Sequence, residues 1–328
     1  MGPGTTAGWR RWAGRWRRAG CAALIAGAVV LPLSGAARPE IPAPSPAVLA
    51  APTAGTLEQT YAAHRANAAE ASRMAAEHGD RHRAAADRAM AAPSRRLLSF
   101  DGRGAGLATE VFGDLARAER VAVLVPGSDT SLDTYDRFRA TALALHRQLA
   151  AEAPGTRTAV VAWLGYGTPG TVSTTVLTTD RADAAAPELR ALLADLRRIA
   201  GPGTPLALVC HSYGSVVCTR AADSVDVADI ALVGSPGGTA DTVADLHTGA
   251  RIWAGRGAGD WVENVPHLSA ELFGTTVGFG TDPVSPDFGA RVFDAGDGGH
   301  SDYFAPGSLS LTNLARIALG ETTEVTHD

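Results

Sequence analysis

From Ser94 onward the chain alternates short apolar runs with longer stretches in which apolar residues recur every three or four positions. Apolar runs of four to eight residues between Gly, Pro or Asp suit strands buried on both faces. The three-to-four spacing suits the helices that cover them. "RRLLSFD" (95–101) and "LATEVFG" (107–113) read as opening strands, and "RVAVLVPGS" (120–128) as a buried one. A helix follows over 133–151, then the strand "TAVVAWLGY" (158–166) and a helix over 186–201. "PLALVC" (205–210) leads into a helix from Ser212 to about Ala222, and "DIALVGSPG" (229–237) is the next strand. "ARIWAGRGAGD" (250–260) and "ARVFDAGDGGH" (290–300) supply two more, and "SLSLTNLARIALG" closes as a helix ended by Gly320. With no repeat and no second core, the pattern predicts an α/β domain over 93–328. Its sheet has about eight mostly parallel strands, with helices on both faces.

Ahead of Ser94 the texture differs. Five arginines within residues 10–18 precede the apolar run "CAALIAGAVVLPL" and the small residues "SGAA". That order is the signature of a secretory signal peptide over 1–36, with cleavage after Ala36 or Ala37. An uncleaved anchor is the alternative, but the run is short of the roughly 20 residues a span needs. Cys21 precedes the run, where a lipoprotein cysteine would follow it, and the twin arginines lack the rest of a twin-arginine signal. Residues 37–55 form a Pro/Ala-rich linker that reads as an extended tether. Residues 56–92 are Ala-rich and charged, with Thr56 as candidate N-cap and Gly79 as a break. They read as one or two exposed helices, either a solvated spacer or a segment that binds a protein partner.

Charge then bounds the partners. The chain carries 29 basic residues, all arginine, and 34 acidic ones, a net −5. Removing 1–36 takes five arginines and no acid, which leaves −10. That disfavours nucleic acid and anionic membrane surfaces and, with the signal, points to a secreted or cell-envelope location. Export would leave Cys210 and Cys218 where a disulfide can form. A bridge needs Cα atoms within about 7 Å, which a strand end and the next helix meet only by chance, so two buried free thiols are expected.

"LALVCHSYGS" (206–215) raises the chemical question, because a buried strand stops at a His-Ser pair and a glycine. Ser212 is either the nucleophile on a strand-to-helix elbow or a polar residue closing a strand. In an elbow the residues at −2 and +2 are small, and here they are Cys210 and Gly214. A serine becomes nucleophilic only with a base to take its proton and an acid to orient that base. Asp260, just past a strand, and His300, in a Gly-rich turn after the last strand, complete the order Ser, Asp, His that this architecture requires. Asp282 and Asp287 are competing acids, while Asp297 and Asp302 flank the histidine. His211 reads as packing at the elbow, His267 as a loop residue, and His64, His78 and His82 as helix positions without a metal's supporting acids. The Tyr213 amide and the Ser128 amide in "LVPGSDTS" are the candidate oxyanion donors.

The ordered set "AERVAVLVPGSDTSLD", "VVAWLGY", "LALVCHSYGS", "DIALVGSPG" and "FGARVFDAGDGGHSDYF" resembles the α/β-hydrolase superfamily. Within it, the chain is similar to the secreted actinobacterial α/β-hydrolases long catalogued as a domain of unknown function. The resemblance covers about 94–320 and implies a Ser212–His300–Asp260 triad. The short interval "GSPGGTADTVADLHTGA" leaves no room for a large cap domain. The cleft is then open, with walls expected from Trp163, Tyr166, Trp261, Leu272 and Phe273 and a rim including 262–289. Two functions stand. One is a serine hydrolase acting on a small-molecule or lipid-like acyl substrate without metal or organic cofactor. The other is a non-catalytic envelope protein that binds a partner through the N-terminal helices.

Overall fold

The computed structural model describes residues 41–171, 173, 178–265, 269–272 and 275–327; for 269–272 and 275–277 it describes the backbone alone. The signal-peptide reading of 1–36, and His267, lie outside the described residues. Among the described residues no helix is long and apolar enough to cross a membrane.

The apolar runs pair into one eight-stranded sheet. Its strands are β1 (Leu97–Asp101), β2 (Leu107–Gly113), β3 (Arg120–Val125) and β4 (Thr158–Leu164), then β5 (Leu206–His211), β6 (Asp229–Val233), β7 (Arg251–Gly255) and the two-residue β10 (Arg291–Val292). The order is β1-β2-β4-β3-β5-β6-β7-β10. β2 runs antiparallel to β1 and β4, and every other pairing is parallel. Between β7 and β10 the expected loop contains a small antiparallel hairpin, β8 (Ser269–Leu272) with β9 (Thr275–Gly278). The segment between β6 and β7 holds only a short 3-10 turn, Val243–Leu246, so there is no large cap at that position.

Strand parity divides the core in two. Val121, Val123 and Val125 of β3 face one side, where α4 (Asp180–Ala200) and α5 (Tyr213–Ala221) cover them. Ala122 and Leu124 face the other, under α3 (Tyr135–Glu152) and α6 (Leu309–Leu319). A parallel sheet covered on both faces needs such continuous apolar strands.

The Ala-rich segment packs more closely than its composition suggested. It forms α1 (Leu57–His78) and α2 (Arg81–Met90), broken at Gly79 in a left-handed conformation. Leu57, Tyr61, Ala68, Ala71 and Ala75 make one buried stripe, spaced at three or four residues or their sum. Small side chains let the helix approach the sheet, and a Cβ on Gly102 would sit 3.0 Å from the Ala71 Cβ. The helices are therefore part of the core, and not a solvated spacer. α2 is pinned by Arg83, 1% exposed, whose guanidinium donates to Asp133 (2.8 and 3.0 Å) and to the Gly102 and Gly104 carbonyls.

The two cysteines are bridged, which corrects the free-thiol reading. Cys210 lies at the end of β5 on the helix side, and Cys218 lies in α5 above it, with Cα atoms 6.5 Å apart. The elbow reverses the chain sharply enough to bring a residue eight positions on back over the strand.

Two stability predictions follow from this packing. Asp87 on α2 is 1% exposed and both carboxylate oxygens lack a hydrogen-bond partner among the described residues. Burial pushes its carboxyl up to about 7, against the opposing pull of Arg83. The unfolded chain releases this proton near pH 4, so the stability this carboxyl contributes is full below about pH 4 and is lost as the pH rises to 7. The expected slope between the two values is about 1.4 kcal/mol per pH unit. Asp87→Asn should flatten it, and melts of both proteins from pH 4 to 8 provide the check; parallel profiles would refute it. For the disulfide, the eight-residue loop predicts a loss of about 2.5 kcal/mol in a C210S/C218S double variant. Urea titrations of oxidised, reduced and double-serine protein would show it, with reduced and double-serine proteins matching.

Candidate active site

β5 lies mid-sheet, with Cys210 opposite Val125 of β3 and Leu232 of β6. The Ser212 amide still donates to the Val233 carbonyl at 2.9 Å, and then the chain turns into α5. Ser212 takes φ 54°, ψ −128°, a conformation that costs a non-glycine residue on the order of 1–3 kcal/mol. Close packing holds it there. A Cβ on Gly214 would sit 2.6 Å from the Val125 and Pro126 carbonyl oxygens. One on Gly127 would sit 2.6 Å from the Ser212 Cβ. The elbow therefore needs glycine at +2, while the −2 position tolerates a cysteine that reaches away from it into the core under α4 and α5.

The structure brings the three predicted side chains together. Ser212 Oγ lies 2.9 Å from His300 Nε2, and His300 Nδ1 lies 2.9 and 3.0 Å from the two Asp260 oxygens. An Nδ1–H donated to the carboxylate leaves Nε2 free to accept the serine proton. Asp260 follows β7 in a loop that rests on the histidine loop: Ala258 N–H donates to the Gly296 carbonyl, and a Cβ on Gly257 would collide with the Gly298 carbonyl at 2.1 Å. Asp260 is 2% exposed. Burial alone would raise its carboxyl, but hydrogen bonds from His300, Tyr303 and the Val262 amide outweigh it and hold the group below its ordinary value. Gly234, at φ 55°, leaves the space this pair occupies; a Cβ there would sit 2.9 Å from Asp260 Oδ2 and 3.1 Å from His300 Nδ1.

Tyr303 is the residue that sequence reasoning missed. Its hydroxyl donates to Asp260 Oδ2 at 2.5 Å and accepts the Gly257 amide at 3.1 Å, so it ties the acid to the histidine loop. Burial, and then the Asp260 carboxylate, raise its hydroxyl above the usual tyrosine range. Its place three residues after His300, the first ring beyond it, was the available signal. His211 donates Nε2–H to the His300 carbonyl at 2.7 Å and packs its ring 4.9 Å from the His300 ring. Burial, reinforced by the neighbouring His300, drops it to about 4, so it stays a neutral support. Tyr213 opens α5, where an amide has no partner in the helix ladder, and the Ser128 amide has none among the described residues. Both amides are thus available to a ligand.

The competing acids lie elsewhere. Asp282 pairs with Arg256 at 2.7 Å, Asp287 is exposed, and Asp302 caps its own turn through the Gly299 amide. His78 and His82 are exposed and His64 is buried on α1, and no group of three or more potential ligands gathers to hold a metal among the described residues.

A cleft of about 440 Å³ opens over Ser212 and His300, lined by Phe138, Val262, Val265, Phe279 and Phe304 among others. Trp261 lines it, half exposed, with its ring 4.7 Å from that of His300. Trp163 and Tyr166 do not line it, contrary to expectation. They face the α4/α5 side, where Trp163 stacks on Tyr166 and Tyr166 on Tyr213, and the Tyr166 hydroxyl donates to the Pro126 carbonyl at 2.6 Å. They brace the loop after β3 from behind. Phe273 and the Leu272 side chain lie outside the described residues.

A family model described as alpha/beta hydrolase matches residues 101–270, just over half of the chain. It takes in Ser128, Ser212 and Asp260 and ends before His300. Two uncharacterized proteins of Mycobacterium tuberculosis, from strains CDC 1551 / Oshkosh and ATCC 25618 / H37Rv, are each 31% identical over 266 residues. The match covers 70% of this chain and 39% of theirs. The chain thus spans well under half the length of these relatives. A solved structure from Xanthomonas campestris, described as an a/b serine hydrolase without lid, is 18% identical, with a TM-score of 0.46, over 70% of this chain and 95% of that one. Another, described as esterase PE8, is 19% identical, with a TM-score of 0.45, over 66% and 99%. With its eight-stranded sheet and its match over 101–270, the chain belongs to the alpha/beta hydrolase family.

Proposed function

We propose that this protein is an exported serine hydrolase that cleaves carboxylic esters or related acyl substrates through an acyl-enzyme. One observation carries the reading: the unbroken hydrogen-bonded chain Ser212 Oγ, His300 imidazole, Asp260 carboxylate. Ser212 attacks the acyl carbon as His300 Nε2 takes its proton. Asp260 keeps the other ring nitrogen protonated and stabilises the imidazolium. The Tyr213 and Ser128 amides receive the charge that develops on the carbonyl oxygen, an effect worth roughly 3–4 kcal/mol per donor. The imidazolium then protonates the leaving oxygen, and water, deprotonated by His300, releases the acid. These steps use side chains and backbone amides alone. Amides, thioesters and acyl acceptors other than water share the machinery, and esters are the substrates proposed. The signal-like residues 1–36 support export. A role as a partner-binding protein finds less support, because α1 spends its apolar stripe on the sheet.

The first test is covalent labelling with a fluorophosphonate, read by intact mass. One adduct is expected on the wild type and none on Ser212→Ala or His300→Ala; a folded wild type that takes no label would sink the proposal. The second concerns Tyr303. Tyr303→Phe removes a charge-assisted hydrogen bond worth roughly 1.5–3 kcal/mol, part of which reaches the transition state. Ester turnover should fall about tenfold in kcat with little change in KM, and an unchanged kcat would show that the hydroxyl has no part in catalysis.

A further inference from the structure

We propose that Arg137 directs this hydrolase to anionic acyl esters, in which an apolar acyl body ends in a negatively charged group such as a carboxylate. The inference rests on the serine-hydrolase reading above and narrows it. Arg137 sits in the first turn of α3 and lines the cleft together with Thr134, Phe138 and Thr141. Their spacings of three and four put all four on one face of the helix end. Most of the remaining described wall is apolar, and among the described residues that line it only Arg137 and Asp129, besides the two histidines, carry ionisable charge. Asp129 is already engaged, since its two oxygens accept the Thr171 amide at 3.3 and 3.2 Å.

Arg137 has no ion pair or hydrogen bond among the described residues. The acids that could neutralise it are held by other arginines: Asp133 by Arg83 at 2.8 Å, Asp136 by Arg95 at 3.6 Å, and Glu110 by Arg95 and Arg139. Arg137 is exposed at the cleft wall, and a guanidinium so placed can grip an incoming anion with two parallel hydrogen bonds.

Chemistry places that anion on the acyl side. The leaving oxygen must take its proton from His300 Nε2, so the alcohol lies by His300 and Trp261. The acyl chain extends toward the opposite wall. There the oxyanion loop at Ser128 runs through the turn Leu132–Thr134 directly into α3 and Arg137.

The experiment compares 4-nitrophenyl monoesters of unbranched dicarboxylic acids of six, eight and ten carbons, each beside its neutral methyl-capped analogue. For at least one length the charged ester should have a kcat/KM about tenfold higher, a margin that shrinks with salt and drops to about one in Arg137→Gln. Arg137→Lys should keep part of it. Equal rates at every length, or a preference that survives Arg137→Gln, would overturn the inference while the hydrolase reading stands. The same holds if fluorophosphonate labels Ser212 but no charged ester is turned over. Absence of both label and turnover would remove the hydrolase reading, and the inference with it.

Discussion

The site depends on one strained residue. Ser212 is held at positive φ between β5 and α5, and three approaches make that conformation the one that fits: Gly214 against the β3 carbonyls, Gly127 against the serine itself, and the Val233 carbonyl on its amide. The strain, on the order of 1–3 kcal/mol, is small beside the core that imposes it. In return the hydroxyl stands clear of the sheet, and the amide that follows opens a helix with no internal acceptor. The Ser212 hydroxyl and the Tyr213 amide are thus presented by a single backbone turn.

Around this turn Asp260 and His300 are positioned by loops that lock each other. The segment after β7 and the segment after β10 touch through bare glycine backbone at Gly257 and Gly298, and Tyr303 fastens one to the other through Asp260. β10 is only two residues long, so the last strand gives the histidine little support of its own. Its place comes from Asp260 on one ring nitrogen, His211 on its carbonyl and Trp261 over its face. The tyrosine is buried for the same reason: its hydroxyl has work on both sides.

Much of this was legible in the chain. The long parallel strands announce themselves because each is an apolar run with at most one polar residue at an end, and Ser212, Asp260 and His300 follow from their positions past strand ends. What was not legible depended on distance or direction. The disulfide turned on whether the elbow folds Cys218 back within reach of Cys210. Alanine carries little burial signal, so α1 read as exposed, although its small side chains are what let it close on the sheet. Trp163 was misread by its size. Its parity with Val161 puts it on the face covered by α4 and α5, and alternation along β4 would have said so. The role of Tyr303 required knowing which carboxylate lies above it.

The alanine stripe of α1 also says something about where this protein can be cut. β1 ends the sheet, and Leu57, Tyr61, Ala68 and Ala71 lie along it, some joining one core and some the other. A chain begun at Ser94 would keep every residue of the site yet present an uncovered strand that can recruit a strand from a second molecule. In the full chain α1 packs against this edge strand.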